Sequence, residues 1–303
     1  MPSLWSGPKC GTGTQQGIAG DRQLLKEAAQ KLSKLGKQQW QEVALQLRRL
    51  SEQSLRPDAF VYNTAIIAYG RGQRWQASMH VLADMDREAV QRNAVSYAAA
   101  LGACAKAKQW RVAVHTLRSM KAASQQPDVR SYSDVISAAA KNEEWARALQ
   151  ILAEMPKESC LPDLFAFGLA ISACGSDQWT FALEVLRQIR AQGLVPNDVV
   201  FSHLMSTFGS AGQWQHAMET FDLMCHVVVP DLVSYSTAIS AMGSHWQCAV
   251  ALHRQMLEQE LQADVISLNA VMQCLAEGQR WDLALVQLAA LRDVGLQIGH
   301  VPV

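Results

Sequence analysis

Apolar residues along this chain recur in two alternating stripes, each with helical spacing. The first stripe opens on an aromatic residue or leucine and continues four and seven residues later. Examples are Tyr62, Ile66 and Tyr69; Tyr132, Ile136 and Ala139; Phe167, Ile171 and Cys174; and Tyr235, Ile239 and Met242. Offsets of four and seven lie on one face of an α-helix. The second stripe opens on a tryptophan and continues three, four, seven and ten residues later, as in Trp145, Ala148, Leu149, Leu152 and Met155. The alanine three residues after the tryptophan predicts close approach of a neighbouring helix; Val43 and Ser78 stand in its place in two units. Short polar stretches such as residues 141–144 separate the stripes and predict tight helix–helix turns.

Eight of the nine tryptophans fall on a ruler: Trp40, Trp75, Trp110, Trp145, Trp179, Trp214, Trp246 and Trp281, spaced 32 to 35 residues apart. A period of about 35 residues marks an array of supersecondary units, none able to bury its apolar face alone. Units end in Pro-Asp or Pro-Asn at 57–58, 127–128, 162–163, 196–197 and 230–231, where proline stops a helix and the next side chain suits a cap. The predicted fold is all-α: an α-solenoid of eight helix–turn–helix repeats spanning 24–58, 59–93, 94–128, 129–163, 164–197, 198–231, 232–264 and 265–299. The first repeat is degenerate, because Glu27 stands where the others carry an aromatic residue or leucine. Residues 1–23 read as an N-terminal tail or divergent leader; they lack the basic start and apolar run of a secretory signal and the arginine-rich amphipathic helix of a transit peptide. Each tryptophan is expected on a second helix, at least partly buried, as scaffold at the seam between hairpins.

Composition changes this picture in one respect. The formal net charge is zero, but residues 1–157 hold 22 Lys+Arg against 13 Asp+Glu, and residues 158–303 hold 5 against 14. A basic half and an acidic half suggest different partners for the two ends. No stretch approaches the roughly 20 apolar residues of a membrane helix. The seven cysteines form no C-x-x-C pair and read as free thiols acting as small hydrophobes. Zinc-hydrolase, deaminase, P-loop, dinucleotide and nucleophile-elbow motifs are absent, so neither catalytic residues nor a metal or cofactor is expected.

The 35-residue period, the Tyr62-Asn63-Thr64-x-Ile66 opening and the Met to Pro-Asp ending together resemble the pentatricopeptide repeat family over residues 24–299. The tetratricopeptide repeat has a similar period, but Ile66, Leu101, Ile136 and Ile171 stand where its first helix carries glycine. The resemblance implies a right-handed superhelix whose first helices line a groove for single-stranded RNA, one base per repeat. It implies base-reading pairs Asn63 with Asn93, Ala98 with Asp128, Ser133 with Asp163, Gly168 with Asn197, Ser202 with Asp231 and Ser236 with Asp264; Asn269 faces only Gly299. It implies base-packing roles for Phe60, Val95, Phe165, Val199, Val233 and Ile266, with Arg130 the odd member, and phosphate contacts from Arg71, Lys106 and Lys141. Through the same resemblance the RNA site is expected to be purine-rich and G-heavy, and the location organellar, plastid or mitochondrion. Two functions stay open: sequence-selective RNA binding without catalysis, and a helical scaffold for proteins, with a protein partner on the acidic C-terminal half.

Overall fold

The computed structural model describes residues 15–34, 39–52 and 55–285, and all regular structure among them is helical. The chain divides into two compact units, Met1–Pro162 and Asp163–Val303. In the first unit the first helices of the hairpins are α1 (Gln15–Lys34), α3 (Ala59–Arg71), α5 (Ala94–Lys106) and α7 (Val129–Ala140). Their second helices are α2 (Trp40–Glu52), α4 (Trp75–Arg87), α6 (Trp110–Ala122) and α8 (Trp145–Glu154). In the second unit the first helices are α9 (Leu164–Ala173), α11 (Asp198–Ser210), α13 (Leu232–Ala241) and α15 (Val265–Glu277), and the second helices are α10 (Trp179–Ala191), α12 (Trp214–Val227) and α14 (Trp246–Glu258). Residues 281–285 are helical as well. α1 begins at Gln15, inside the segment read from sequence as a tail. Residues 1–14 and the 286–299 part of the last repeat lie outside the described residues.

Within each unit consecutive first helices pack side by side: α1, α3, α5 and α7 in one, α9, α11, α13 and α15 in the other. Each of α2, α4, α6, α10, α12 and α14 packs on the first helix of its own hairpin and on that of the next. Small residues permit the close approach: an added Cβ at Gly209 would lie 2.7 Å from the Ala241 Cβ and 2.6 Å from its Cα. The first-helix stripe forms the core, with Tyr132, Phe167, Phe201, Ile136, Ile171 and Phe208 fully buried. Cys104 and Cys174 share one slot in this stripe, and burial pushes each thiol up to about 11.

The second-helix stripe differs from its sequence reading by one position. Offset three is buried everywhere it is described, from Val43 and Ser78 to Ala148, Ala249 and Ala284. Offset four, as at Leu149 and Leu183, is only half-buried. Offset six takes its place in the core, at Val81, Thr116, Ile151, Val185, Thr220 and Leu252. The reason, for α4, α6, α10, α12 and α14, is their second contact surface: a helix wedged between two others buries a wider arc than one stripe. Gly212 and Gly243 adopt a left-handed backbone without steric cost, whereas Lys108 and Glu143 adopt it in the equivalent turns against their own side chains.

Seven of the eight ruler tryptophans are the first residue of a second helix and are half-buried. Trp281 departs from the expectation of burial: it is 64% exposed. Several indoles are covered by groups from the following hairpin. The Arg74 guanidinium lies 4.3 Å from the Trp40 ring, Arg280 4.4 Å from Trp246, and the His245 ring stacks on Trp214 at 4.3 Å. Trp281 has no later hairpin among the described residues to supply such a cover.

One core position breaks the pattern. His253 on α14 occupies the offset filled by Leu82, Leu117, Leu152, Leu186 and Phe221 elsewhere, is 6% exposed, and has no hydrogen-bond partner for Nδ1. Burial lowers its pKa below the ordinary 6.5. A histidine with a depressed folded pKa binds protons more readily unfolded, so stability falls as pH drops below 6.5. His253→Leu is expected to raise stability by about 1–3 kcal/mol, the cost of an unsatisfied buried polar group. The gain should grow between pH 6.5 and 5, which thermal melts of both proteins across that range will measure.

Candidate nucleic-acid interface

Residues two, five, six and nine of a helix lie on one face at 100° per residue. On the first helices the second residue is Phe60, Val95, Arg130, Phe165, Val199, Val233 and Ile266 in turn, and every one is exposed. The six apolar members range from 49% exposed at Val199 to 67% at Ile266. Scattered exposed apolar residues are ordinary, but a side chain exposed at the same register of successive helices forms a row within each unit.

Beside this row stands a polar one, built by helix capping. Asp58, Asn93, Asp128, Asp163, Asn197, Asp231 and Asp264 are the N-caps of α3, α5, α7, α9, α11, α13 and α15. In each, one side-chain oxygen accepts from the backbone N–H three residues on, at 2.8 to 3.1 Å. That leaves the other head-group atom free: a carboxylate oxygen in Asp, an NH2 donor in Asn. The Asp231 carboxyl is held below its ordinary 3.8 by the backbone N–H and then the hydroxyl of Ser234.

The fifth-residue side chains meet these caps in different ways. The Asn63 amide donates to Asn93 Oδ1 at 3.4 Å, while the buried Ser96 hydroxyl donates to Asn63 Oδ1 at 2.6 Å. Ser133 is buried and its hydroxyl has no hydrogen bond; its sequence partner Asp163 caps α9 in the second unit. Ser236, buried but in the lining of a cleft, donates its hydroxyl hydrogen to the Leu232 carbonyl at 2.8 Å, which leaves its oxygen as an acceptor. Ser202 is half-buried and Asn269 exposed; the position paired with Asn269 lies outside the described residues. Ala98 and Gly168 bring no polar group.

Two clefts gather many of these residues. A cleft of about 590 Å³ in the first unit is lined by Val95, Ala98, Lys106, Asp128, Arg130, Asp134 and Lys141, among others. One of about 300 Å³ in the second unit is lined by Val233, Ser236, Thr237, Asp264 and Ile266, among others. The second cleft has no lysine or arginine in its lining. Arg71 and Lys141 are partly engaged by the fold: Arg71 donates to the Ser33 carbonyl at 2.7 Å and Lys141 to the Ala105 carbonyl at 3.2 Å, each at the end of the preceding first helix.

Sequence reasoning passed over four kinds of residue here. The serines three residues after a cap, Ser96, Ser131, Ser234 and Ser267, brace the cap side chain or its backbone. Their signal was the recurring D/N-x-x-S spacing, a relative of the capping box. Asp134 lies among Lys106, Lys141, Arg130 and Asp128; burial raises its pKa, and Arg130 and Lys106 oppose that shift. Arg130 was noted as the odd member of the apolar row without a role, and here it faces that carboxylate. His203 donates through Nδ1 to the Gly168 carbonyl at 3.0 Å, a contact with no local sequence signature. Among the described residues, no group of three or more His, Cys, Asp or Glu could hold a metal ion, and no helix is long and apolar enough to cross a membrane.

Fold and site together define a helical-hairpin repeat protein whose first helices present one exposed packing residue and one capped polar head per repeat. Family models agree. A pentatricopeptide repeat domain model matches residues 80–142 and 117–177, and a pentatricopeptide repeat-containing protein model matches residues 169–291. The chain belongs to the pentatricopeptide repeat family. No curated protein matches it. Among solved structures it is similar to the pentatricopeptide repeat protein PPR10 from maize, at 22% identity and a TM-score of 0.65, covering 85% of this chain and 37% of that one. PPR10 in complex with an 18-nt psaJ RNA element matches at 20% identity and a TM-score of 0.51, covering 91% and 39%. The PPR domain of Arabidopsis thaliana protein-only RNase P 1 in complex with tRNA matches at 14% identity and a TM-score of 0.50, covering 60% and 93%. The chain thus spans under two-fifths of the length of the PPR10 chains.

Cap chemistry gives a direct test. A depressed carboxylate pKa contributes stability that is complete above the unfolded value and is lost as pH falls through the folded one. Asp231→Ala should cost about 1 kcal/mol at neutral pH. Asp231→Asn keeps the capping oxygen but does not titrate. Its melting temperature should therefore fall less steeply than that of the parent protein below pH 3.8.

Proposed function

We propose that this protein binds single-stranded RNA sequence-selectively and acts by covering a transcript segment, not by catalysis. The observation that carries this reading is the pairing, helix after helix, of an exposed second residue with a capped polar head. A base face could pack on the first while its Watson–Crick edge meets the second. Family membership and the RNA-bound neighbours support the same reading, and family membership also favours an organellar location, plastid or mitochondrion.

The committed hydrogen bonds suggest which bases fit. At Ser236 and Asp264 the hydroxyl hydrogen and one carboxylate oxygen are already used, which leaves two acceptors. Two acceptors suit the adjacent donors N1–H and N2–H of guanine. Ser202 with Asp231 offers the same residue types and favours guanine in turn. At Asn63 and Asn93 both amide oxygens are engaged, and one N–H of Asn63 and the NH2 of Asn93 remain, which favours a base with two adjacent acceptors, cytosine. The site is therefore purine-rich and G-heavy.

Binding of the intact chain to a random single-stranded RNA pool, at two stated salt concentrations, tests the reading. Selective retention is expected; no retention at either salt would move the protein to the scaffold reading, with a partner for the acidic half. Ser202→Asn should shift selection at a single position from purine to pyrimidine, and an unchanged profile would remove Ser202 as a reader. Lys106→Gln should lower the salt slope by about 0.7, the value for one phosphate contact on a single strand.

A further inference from the structure

The sixth residue of each first helix shares the face of the second and fifth. In this chain it is Thr64, Ala99, Asp134, Leu169, His203, Thr237 and Ala270. Ala99 and Asp134 line the cleft of the first unit, and Thr237 lines that of the second. The position therefore opens on the same surface as the readers. Two polar sixth residues follow repeats whose fifth residue is not polar, Asp134 after Ala98 and His203 after Gly168, whereas Thr237 follows the polar Ser202. Asn63 and Ser133, by contrast, are followed by Ala99 and Leu169.

At Gly168 the geometry is specific. A Cβ built there would lie 3.4 Å from His203 Nδ1 and 3.9 Å from Val200 Cγ2. The imidazole fills the space that a fifth-residue side chain would enter. Val200 is also the residue whose backbone N–H holds the Asn197 cap at 3.1 Å, so Asn197 stands beside the same gap. The Gly168 carbonyl can only accept, so Nδ1 carries the hydrogen, and in the neutral ring Nε2 is left as an acceptor. Asn197 has its oxygen on Val200 and its NH2 group left to donate.

We infer that His203 stands in for the side chain missing at Gly168 and, with Asn197, reads a base carrying an exocyclic amine beside an unprotonated ring nitrogen. His203 Nε2 accepts from the amine, and Asn197 Nδ2 donates to the ring nitrogen. On the Watson–Crick edge adenine and cytosine present that pair; guanine and uracil present a carbonyl beside N–H there and are refused. A repeat that looks blank from its fifth residue is thereby selective, through a residue borrowed from the next hairpin. This assignment rests on the RNA-binding reading above.

The test is selection from a random single-stranded RNA pool by the full chain at pH 8, for the parent, His203→Ala and His203→Leu. His203→Leu keeps apolar bulk against Gly168, and circular dichroism of both variants reports whether the helices persist. The parent should prefer adenine or cytosine at the position next to the Ser202 base by about fivefold, a factor typical of one net hydrogen bond. Both variants should lose that preference while the positions read by Ser202 and Ser236 keep theirs. Retention of the preference in both variants, or a parent preference for guanine or uracil there, overturns the inference. Loss at every position together would mark His203 as a packing residue and overturn it too. Selectivity at the Ser202 and Ser236 positions with none at the His203 position sinks this inference alone. Failure of the parent to bind RNA removes the RNA reading and this inference with it.

Discussion

One hydrogen bond recurs at the start of every first helix from α3 onward, and both fold and surface hang on it. An Asp or Asn oxygen accepts from the N–H three residues on. The bond satisfies one of the amides that a helix leaves open at its N-terminus. It also fixes the torsions of the capping side chain, so its remaining head-group atom points in a set direction before any ligand arrives. A side chain already ordered loses little rotamer freedom on binding. The alphabet available at this position is correspondingly narrow. A replacement must cap as well as present a donor or acceptor, which restricts it to Asp, Asn, Ser and Thr.

Much of this was legible in the sequence because periodicity reports burial directly. The tryptophan ruler and the Tyr62, Ile66, Tyr69 type of stripe placed the helices and the first-helix core. The second-helix stripe was wrong at one of its positions, since a single amphipathic face cannot foresee a helix that touches two neighbours; Val81 and Val185 are buried for that reason. Trp281 was read by analogy with indoles that owe their cover to another hairpin. At the site, family resemblance supplied the residues, while the commitments of their hydrogen atoms had to come from geometry. Ser236 and Asn63 carry similar polar groups, yet one is left with an acceptor and the other with a donor. Contacts such as that of His203 with Gly168 join residues 35 apart through backbone, and no local pattern encodes them.

Charge is distributed along the same division as the fold. The first unit holds 22 Lys+Arg and 14 Asp+Glu, and the second holds 5 and 13. The cations nearest the reading face are not all free, because Arg71 and Lys141 also tie down carbonyls at the ends of α1 and α5. These bonds neutralise helix C-termini, where cations are favourable. If the proposed RNA reading holds, the second unit draws on packing and hydrogen bonds, with little help from long-range charge.

The half-buried indoles have a consequence for how this molecule can be observed. Four of them look onto a group from the next hairpin: a guanidinium at Trp40 and Trp246, an imidazole at Trp214 and Trp179. Indole emission responds to the charge and polarity beside the ring. The seams between hairpins are thus labelled along the chain by native fluorophores with chemically different neighbours. Opening one seam would separate one indole from its companion and leave the others paired. The light emitted by the protein is a record of which joints are closed.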